Sequence, residues 1–298
     1  MTETAEAHPT TRPRSPYVRA AAPAVASVGV LVWWIGLMGL VDLTVPLVPL
    51  EDFYDAYLVE VGWGLLYTVL LGVPTLVLAF RPLSDVAAQQ LLTAALALGF
   101  AGLAAPEPGH LVPAAIGLGL VVAVRSMAGG RALPPSPHRR LTRRDAPGLV
   151  VVLAGLLPAI AYARASIDAF RDPTVPADVT QNLDHWPAQA AFGLATVLVA
   201  GVAVLAVRGR LLPALAAAAS AVWFGVTSVA FPDHDGSLGT TGGRLAVAWG
   251  IALLAAVAMR RRPVVEPAGA DGGADAGSGP TPSATPAPSV EDRPGGEQ

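Results

Sequence analysis

The chain has 298 residues, of which 53% are hydrophobic and only 14% are charged, and its mean hydropathy is +0.54. A soluble domain usually carries about 25% charged residues, so this composition excludes an ordinary soluble protein and predicts a chain that faces lipid. The net charge is −3, and the absence of cysteine excludes disulfides, thiolate metal ligands and thiol nucleophiles. All 19 basic residues are arginine, which together with the many Ala, Gly and Pro residues indicates a GC-rich bacterial coding sequence.

Eight apolar stretches are candidates for membrane spans. A helix needs roughly 20 apolar residues to cross the hydrocarbon layer, because lipid offers no partner for backbone polar groups. The sequence therefore predicts an all-α polytopic membrane protein with about eight transmembrane helices. The fourth and eighth stretches are short for a membrane span. The predicted spans are 20–41, 61–80, 86–105, 111–124, 148–165, 187–207, 211–231 and 242–259.

The two ends of the chain differ from this apolar region. Residues 1–19 hold few apolar side chains, and residues 263–298 consist mainly of Gly, Pro, Ala, Ser and acids. Such segments bury too little surface to offset the entropy lost on ordering, so both are predicted to be disordered tails. The domain between them, residues 20–262, is the predicted eight-helix membrane domain.

The arginines fall almost entirely on one side of the predicted spans. Sixteen of the 19 lie in the tails or in the loops after even-numbered spans, and only Arg164, Arg171 and Arg244 lie on the other side. Cytoplasmic loops carry an excess of basic residues. We therefore expect a multi-pass plasma-membrane protein with both termini in the cytoplasm and acidic outer loops.

The two halves of the chain share a weak pattern that suggests duplication. Four helices per half would make the repeats parallel, related by an axis along the membrane normal. Interfacial tryptophans and similar apolar helices also recur without any common ancestry, so a 4+4 repeat is one of two interpretations. The matching residues are Trp63 and Trp186, Arg81 and Arg208, and His110 and His234.

Two Asp-His pairs lie at the predicted outer ends of helices six and seven, and a third histidine lies at the outer end of helix four. Consecutive antiparallel helices usually pack together, which would bring the pairs close. Imidazoles with carboxylates suit Zn²⁺ or Cu²⁺, or a proton-sensing site. The three histidines would ligate a divalent metal if they converge. This candidate outer-face site consists of Asp184, His185, Asp233, His234, Asp235 and His110.

The same residues also fit ordinary helix capping and turn formation. Asp184 precedes Pro187, which suits the start of a helix, and Trp186 suits the membrane interface. Residues 233–236 have the composition of a turn. This structural interpretation is the default against which a binding site has to be weighed.

A second candidate is the acidic pair Glu51-Asp52 in the first outer loop. With the helix number, this pair resembles the first loop of membrane glycosyltransferases that use lipid-linked sugars. The resemblance covers two residues and a helix count. It implies carboxylates that act as a base or bind a divalent cation beside the lipid phosphate. A solvated acidic loop is the alternative.

The remaining signals favour a protein without catalysis. No charged residue or histidine lies in the central third of any predicted span, which disfavours an ion-driven carrier, while Pro74 and Pro158 are expected to kink their helices. We predict a small-solute permease or a subunit of a membrane complex. Its expected partners are the lipid bilayer and other membrane subunits, with no cofactor and no nucleic acid. The alternative is a metal-binding protein or enzyme acting at the outer face.

Overall fold

A computed structural model describes residues 15–48, 57–135 and 141–259. Within these residues the fold is all-α, as predicted, with one two-stranded hairpin and eight helical spans long and apolar enough to cross a membrane. The Glu51-Asp52 pair and most of both predicted tails lie outside the described residues. Numbered in chain order, spans 1 to 8 are Pro16–Gly36, Leu58–Phe80, Asp85–Ala104, Pro108–Met127, Arg143–Arg171, His185–Leu205, Leu211–Ala230 and Gly239–Met259.

The first four spans contain two π-helical segments. Span 1 is α1 (Pro16–Leu31) followed by a π-helix (Val32–Gly36), and a short α2 (Gly39–Thr44) and a 3₁₀ turn (Val45–Leu47) come after it. The other elements of this half are α3 (Tyr57–Gly64), a π-helix (Leu65–Gly72), α4 (Val73–Phe80), α5 (Asp85–Ala104), a 3₁₀ turn (Pro108–His110) and α6 (Leu111–Met127).

The second half begins with a long helix and contains the hairpin. A 3₁₀ turn (Arg143–Asp145) leads into α7 (Ala146–Arg171), which exceeds the predicted fifth span at both ends. The elements that follow are β1 (Val179–Thr180), β2 (Leu183–Asp184), α8 (His185–Leu205), α9 (Leu211–Ala230) and α10 (Gly239–Met259).

The first predicted span does not continue to residue 41. Met38 adopts a left-handed conformation with φ 58°, which ends the π-helix and redirects the chain into α2. The apolar composition of 37–41 predicts a continuation of the first span, but α2 instead packs against α3, where Gly64 leaves no room for a side chain against the backbone of Leu43. As a result Asp42 lies inside the protein and is only 5% exposed.

The irregularity of span 2 has an identifiable cause. Pro74 lacks an N–H, and its ring crowds the carbonyl four residues earlier, so a regular α-helix cannot continue through it. The preceding residues form the π-helix, and the Val73 N–H bonds to the carbonyl oxygen of Thr68. The indole Nε1 of Trp34 donates to the same oxygen at 3.2 Å, so the two π-helical segments support each other.

The eight spans divide into a buried centre and an exposed periphery. In the most apolar 18 residues of each span, 56% to 72% are buried in spans 2, 3, 6 and 7, against 17% to 39% in spans 1, 4, 5 and 8. Within each half, consecutive spans pack in a ring, and the halves meet mainly where α5 contacts α8. The duplication itself stays a prediction.

The loops gather at two ends of the bundle. At one end, which we call the arginine end (residues 81–86, 125–131 and 206–210), the buried guanidinium of Arg125 lies 2.8 Å from Asp85 and donates to the carbonyl of Arg131. The other, the histidine end, consists of residues 37–48, 58–63, 104–111, 172–185 and 231–239. Contacts such as that from Trp63 Nε1 to the Leu37 carbonyl, 2.7 Å, join its segments.

Candidate functional site

A short hairpin brings an acid and a histidine together at the histidine end. Strands β1 and β2 pair antiparallel, with Val179 opposite Asp184. Gln181 and Asn182 between them have φ values of 55° and 62°, as in the two-residue turns that match the twist of a hairpin. The next pair outward is Asp178 and His185, and the His185 N–H donates to the Asp178 carbonyl at 2.8 Å. Their side chains are therefore neighbours.

The imidazole of His185 has two carboxyl neighbours. Its Nδ1 lies 3.0 Å from Asp178 Oδ2 and 3.8 Å from Glu60 Oε2, and the side chain is fully buried. The Trp63 ring lies against it, with centroids 4.1 Å apart. When Nδ1–H donates to Asp178, the lone pair is on Nε2, which is buried and has no hydrogen-bond partner among the described residues.

The start of α8 fixes the backbone at this histidine. The Asp184 side chain accepts a 2.8 Å hydrogen bond from the Trp186 N–H, so it caps the helix as the sequence pattern suggested. Burial raises the pKa of the Asp184 carboxyl, and the bond from Trp186 opposes this increase. The indole of Trp186 donates to the Pro176 carbonyl and ties down the segment that leads into the hairpin.

A carboxyl pair lies directly behind His185. The close packing of α2 on α3 places Asp42 beside Glu60, and both are at least nine-tenths buried. Their side chains are within hydrogen-bonding reach, and two carboxyl groups can share such a bond only when one carries a proton. Burial raises the pKa of Asp42 to about 7; the bond to Glu60 opposes the increase and the charge of Asp178 adds to it.

A glutamine and a tyrosine connect this cluster to the neighbouring spans. Gln189 lies one turn beyond His185 on α8, and its Nε2 donates to the Leu58 carbonyl at 3.1 Å and to the Tyr162 hydroxyl. Tyr162 in turn donates to the carbonyl of Gly236 at 2.6 Å. The loop after α9 and the spans of α3, α7 and α8 are thus held together around the carboxyl groups.

The residues singled out from the sequence lie at different depths. His110 is fully buried, its ring is 6.1 Å from that of Trp63, and its Nε2 donates to the Asp184 carbonyl at 2.8 Å. The structure therefore brings His110, Asp184 and His185 into one neighbourhood.

The second Asp-His pair lies in the loop after α9. Asp233 and Asp235 are exposed, and His234 is half-buried with its ring 5.2 Å from that of Phe231. In the described part of the chain, the one group of side chains whose donor atoms lie close enough to share an ion is Glu60, Asp178 and His185. Convergence of the three histidines on one ion stays a prediction.

Sequence reasoning placed Asp42, Glu60 and Asp178 in outer loops and gave them no role. Two signals were available. Glu60 and Trp63 are three residues apart, which puts them on one face of a helix. The segment from Asp178 to His185 places an acid and a histidine at the two ends of a potential two-residue hairpin, although the Gln-Asn turn is not among the strongest hairpin sequences.

Several buried polar atoms around this cluster have no hydrogen-bond partner among the described residues. They come from span 2, from the 3₁₀ turn before α6 and from α8. The rings of Tyr67, His110 and His185 lie within 6.1 Å of the Trp63 ring. Buried polar groups in native proteins are nearly always paired, so such a concentration points to water or a ligand. The atoms are Tyr67 OH, His110 Nδ1, His185 Nε2 and Gln189 Oε1.

The chain matches no protein-family model, no curated protein and no solved structure. The fold defines its class: eight apolar helices within the described residues are long enough to cross a membrane, as in a multi-pass membrane protein.

Proposed function

We propose that this protein lies in the plasma membrane with the histidine end outside and both termini in the cytoplasm, and that it binds a cation in the buried acidic cluster. The cluster consists of Asp42, Glu60, Asp178 and His185. The observation that carries the proposal is the burial of two carboxyl groups, those of Asp42 and Glu60, and one imidazole beside the partly buried carboxyl group of Asp178. Carboxylates held together away from water repel each other, and a bound cation relieves both the repulsion and the cost of desolvation.

The orientation is supported by the distribution of arginine. Arg125 and Arg131 are at the arginine end, as is the short link with Arg208 and Arg210. In the histidine-end segments 37–48, 58–63, 104–111 and 178–185, every ionisable side chain is an acid or a histidine. Arg171, which precedes the hairpin, reaches this end with a hydrogen bond to the Ala104 carbonyl. The positive-inside rule then leaves the histidine end facing outward.

Of the functions expected from the sequence, the geometry favours the outer-face binding protein. A permease is the second candidate, because another buried polar group, without a partner in the described part of the chain, follows Glu60 along span 2. Tyr67 follows Glu60 on the same face of span 2, and its hydroxyl is fully buried without a partner among the described residues. The π-helix that contains Tyr67 is a feature often found at functional sites. A role as a subunit of a larger complex stays a prediction.

The absence of cysteine allows a direct test of orientation. Asp235→Cys places one thiol at the histidine end, and Arg131→Cys places one at the arginine end; both positions are exposed. In intact cells a membrane-impermeant thiol reagent should label only Asp235→Cys, and permeabilised cells should show labelling of both. Labelling of Arg131→Cys alone in intact cells would reverse the proposed topology.

Cation binding is tested by thermal unfolding of the full chain in lipid nanodiscs. Each of Na⁺, Mg²⁺, Ca²⁺, Mn²⁺, Zn²⁺ and a small alkylammonium is added after chelation with EDTA. A ligand at 100 times its Kd stabilises the folded state by about 2.7 kcal/mol, which raises the unfolding temperature. Asp168→Asn, an exposed acid at the same end, is the matched control and should respond as the wild type does. If no cation raises the unfolding temperature, the proposal is wrong.

A further inference from the structure

We infer that the cation is a divalent first-row transition metal, ligated by Glu60 Oε2, Asp178 Oδ2 and His185 Nδ1. This inference rests on the proposed function and specifies its ligand. It differs from a site made of the three histidines, because its donors come from span 2, the hairpin and the first residue of α8.

The spacing of the three donor atoms fits one small ion. All three lie within 4.8 Å of one another, and Nδ1 is 3.0 Å from Asp178 Oδ2 and 3.8 Å from Glu60 Oε2. Zinc bonds to nitrogen and oxygen are about 2.0–2.2 Å long, so the donors of a tetrahedral site stand roughly 3.4 Å apart. The two distances from Nδ1 lie on either side of that value.

The chemistry of the donors narrows the choice of ion. An imidazole favours Zn²⁺, Fe²⁺, Cu²⁺ and Ni²⁺ over Mg²⁺ and Ca²⁺, and two carboxylates add Mn²⁺ to the group. With no cysteine in the chain, the thiolate ligands that favour Cu⁺ are missing. Three protein ligands leave one tetrahedral position open for water or a second ligand, as in zinc sites that exchange ligands.

The groups around the donors hold them in place. Asp42 lies against the Glu60 carboxyl, the Trp63 ring lies 4.1 Å from the His185 ring, and the hairpin fixes Asp178 relative to His185. Such surrounding contacts orient metal ligands and normally affect affinity 10- to 100-fold. Binding replaces the Nδ1–H bond to Asp178 with a metal bond, and the imidazole changes to the tautomer that carries its single proton on Nε2, so the ring stays neutral.

Asp178 is the most exposed of the three ligand residues. The side chain of Asp178 is 15% exposed, whereas those of Glu60 and His185 are 6% and 0% exposed. An incoming cation therefore meets Asp178 first and reaches the buried donors behind it. The Nε2 atom of His110 cannot bind the ion, because it donates a hydrogen bond to the Asp184 carbonyl.

The test uses EDTA-treated full-length protein in nanodiscs, titrated with Zn²⁺ and Mn²⁺ by calorimetry. We expect one equivalent of Zn²⁺ to bind to the wild type. Glu60→Gln, Asp178→Asn and His185→Gln should each weaken binding at least about tenfold, and Asp168→Asn should not. Because a buried variant can fail to fold, the wild type is also loaded with Co²⁺. Its visible spectrum should show four- or five-coordinate Co²⁺ with nitrogen and oxygen ligands.

The possible results separate this inference from the function it rests on. If Ca²⁺ or an alkylammonium binds with the expected variant pattern and Zn²⁺ and Mn²⁺ do not, the transition metal is excluded and cation binding stands. If Zn²⁺ binds equally well to His185→Gln, or if Co²⁺ is six-coordinate with oxygen ligands only, the assigned ligands are wrong. If no cation binds to folded wild-type protein, both proposals fail.

Discussion

The Nδ1 atom of His185 lies 3.0 Å from the Oδ2 atom of Asp178, across the open end of the hairpin formed by residues 179–184. The pair is thus created by local backbone geometry. Glu60 belongs to span 2, and its Oε2 atom lies 3.8 Å from His185 Nδ1. It adds a third donor atom to this local pair. The turn of the hairpin should therefore fix the position of Asp178, and the packing of α3 should independently fix the position of Glu60.

The turn should affect cation affinity without contributing a donor. Asn182 has φ 62°, a conformation that costs a β-branched residue about 1–2 kcal/mol and costs glycine little. We expect Asn182→Val to weaken Zn²⁺ binding up to about tenfold and Asn182→Gly to leave it nearly unchanged, as measured by calorimetry. Equal affinities in the two variants would show that the hairpin does not hold Asp178 in place.

The close approach of α2 to α3 should be sensitive to a single methyl group. A Cβ on Gly64 would overlap the backbone of Leu43 and come within 2.8 Å of the carbonyl carbon of Asp42. We expect Gly64→Ala to destabilise the protein by about 1–3 kcal/mol, as overpacking usually does.

The matched control for this substitution is Gly201→Ala, since a Cβ there meets nothing within 4 Å. Its unfolding temperature should equal or slightly exceed that of the wild type, because alanine is the better helix former. The comparison is made by thermal unfolding in the same detergent. Similar losses in both variants would contradict the described packing of Asp42.

The Asp42 carboxyl should make stability depend on pH when no metal is bound. Its pKa is raised by burial to about 7 from 3.8, with Glu60, Asp178 and His185 facing it. Between pH 3.8 and about 7, Asp42 therefore keeps a proton in the folded state that it has lost in the unfolded state. Stability from this group is present below the unfolded pKa and is lost as the pH rises to about 7.

Asp42→Asn removes this dependence while keeping a side chain of the same shape. Relative to the wild type, the variant should become more stable as the pH is raised from about 5 to about 8. The measurement is the unfolding temperature in EDTA at both pH values. An unchanged difference between the two proteins would mean that Asp42 is not protonated in the folded state.

His110 distinguishes the three-donor site from one that uses all three outer histidines. Since His110 Nε2 donates to the Asp184 carbonyl, it positions the start of α8. His110→Gln can retain this donor, and His110→Leu cannot. We expect both variants to bind one equivalent of Zn²⁺, with affinity about tenfold weaker in His110→Leu only. Loss of the bound equivalent in both would make His110 a ligand.

The sequence was sufficient for the class of fold but not for the site. Hydrophobic length predicts spans because lipid leaves the backbone no alternative to helix, and all eight were found. The first predicted span extends too far, to residue 41, because composition does not reveal the left-handed conformation of Met38 that ends the helix and turns the chain into α2. The sequence predicts that Asp42 and Glu60 flank an outer loop, because it does not show that α2 folds back over Gly64. That packing buries both side chains.

The most direct test of the metal site is anomalous X-ray diffraction at the zinc edge. The crystals are grown from the full-length protein with Zn²⁺. A single anomalous peak should lie at bonding distance, about 2.0–2.2 Å, from Glu60 Oε2, Asp178 Oδ2 and His185 Nδ1. A peak bonded to His110 or His234, or the absence of any peak at the histidine end, would contradict this account.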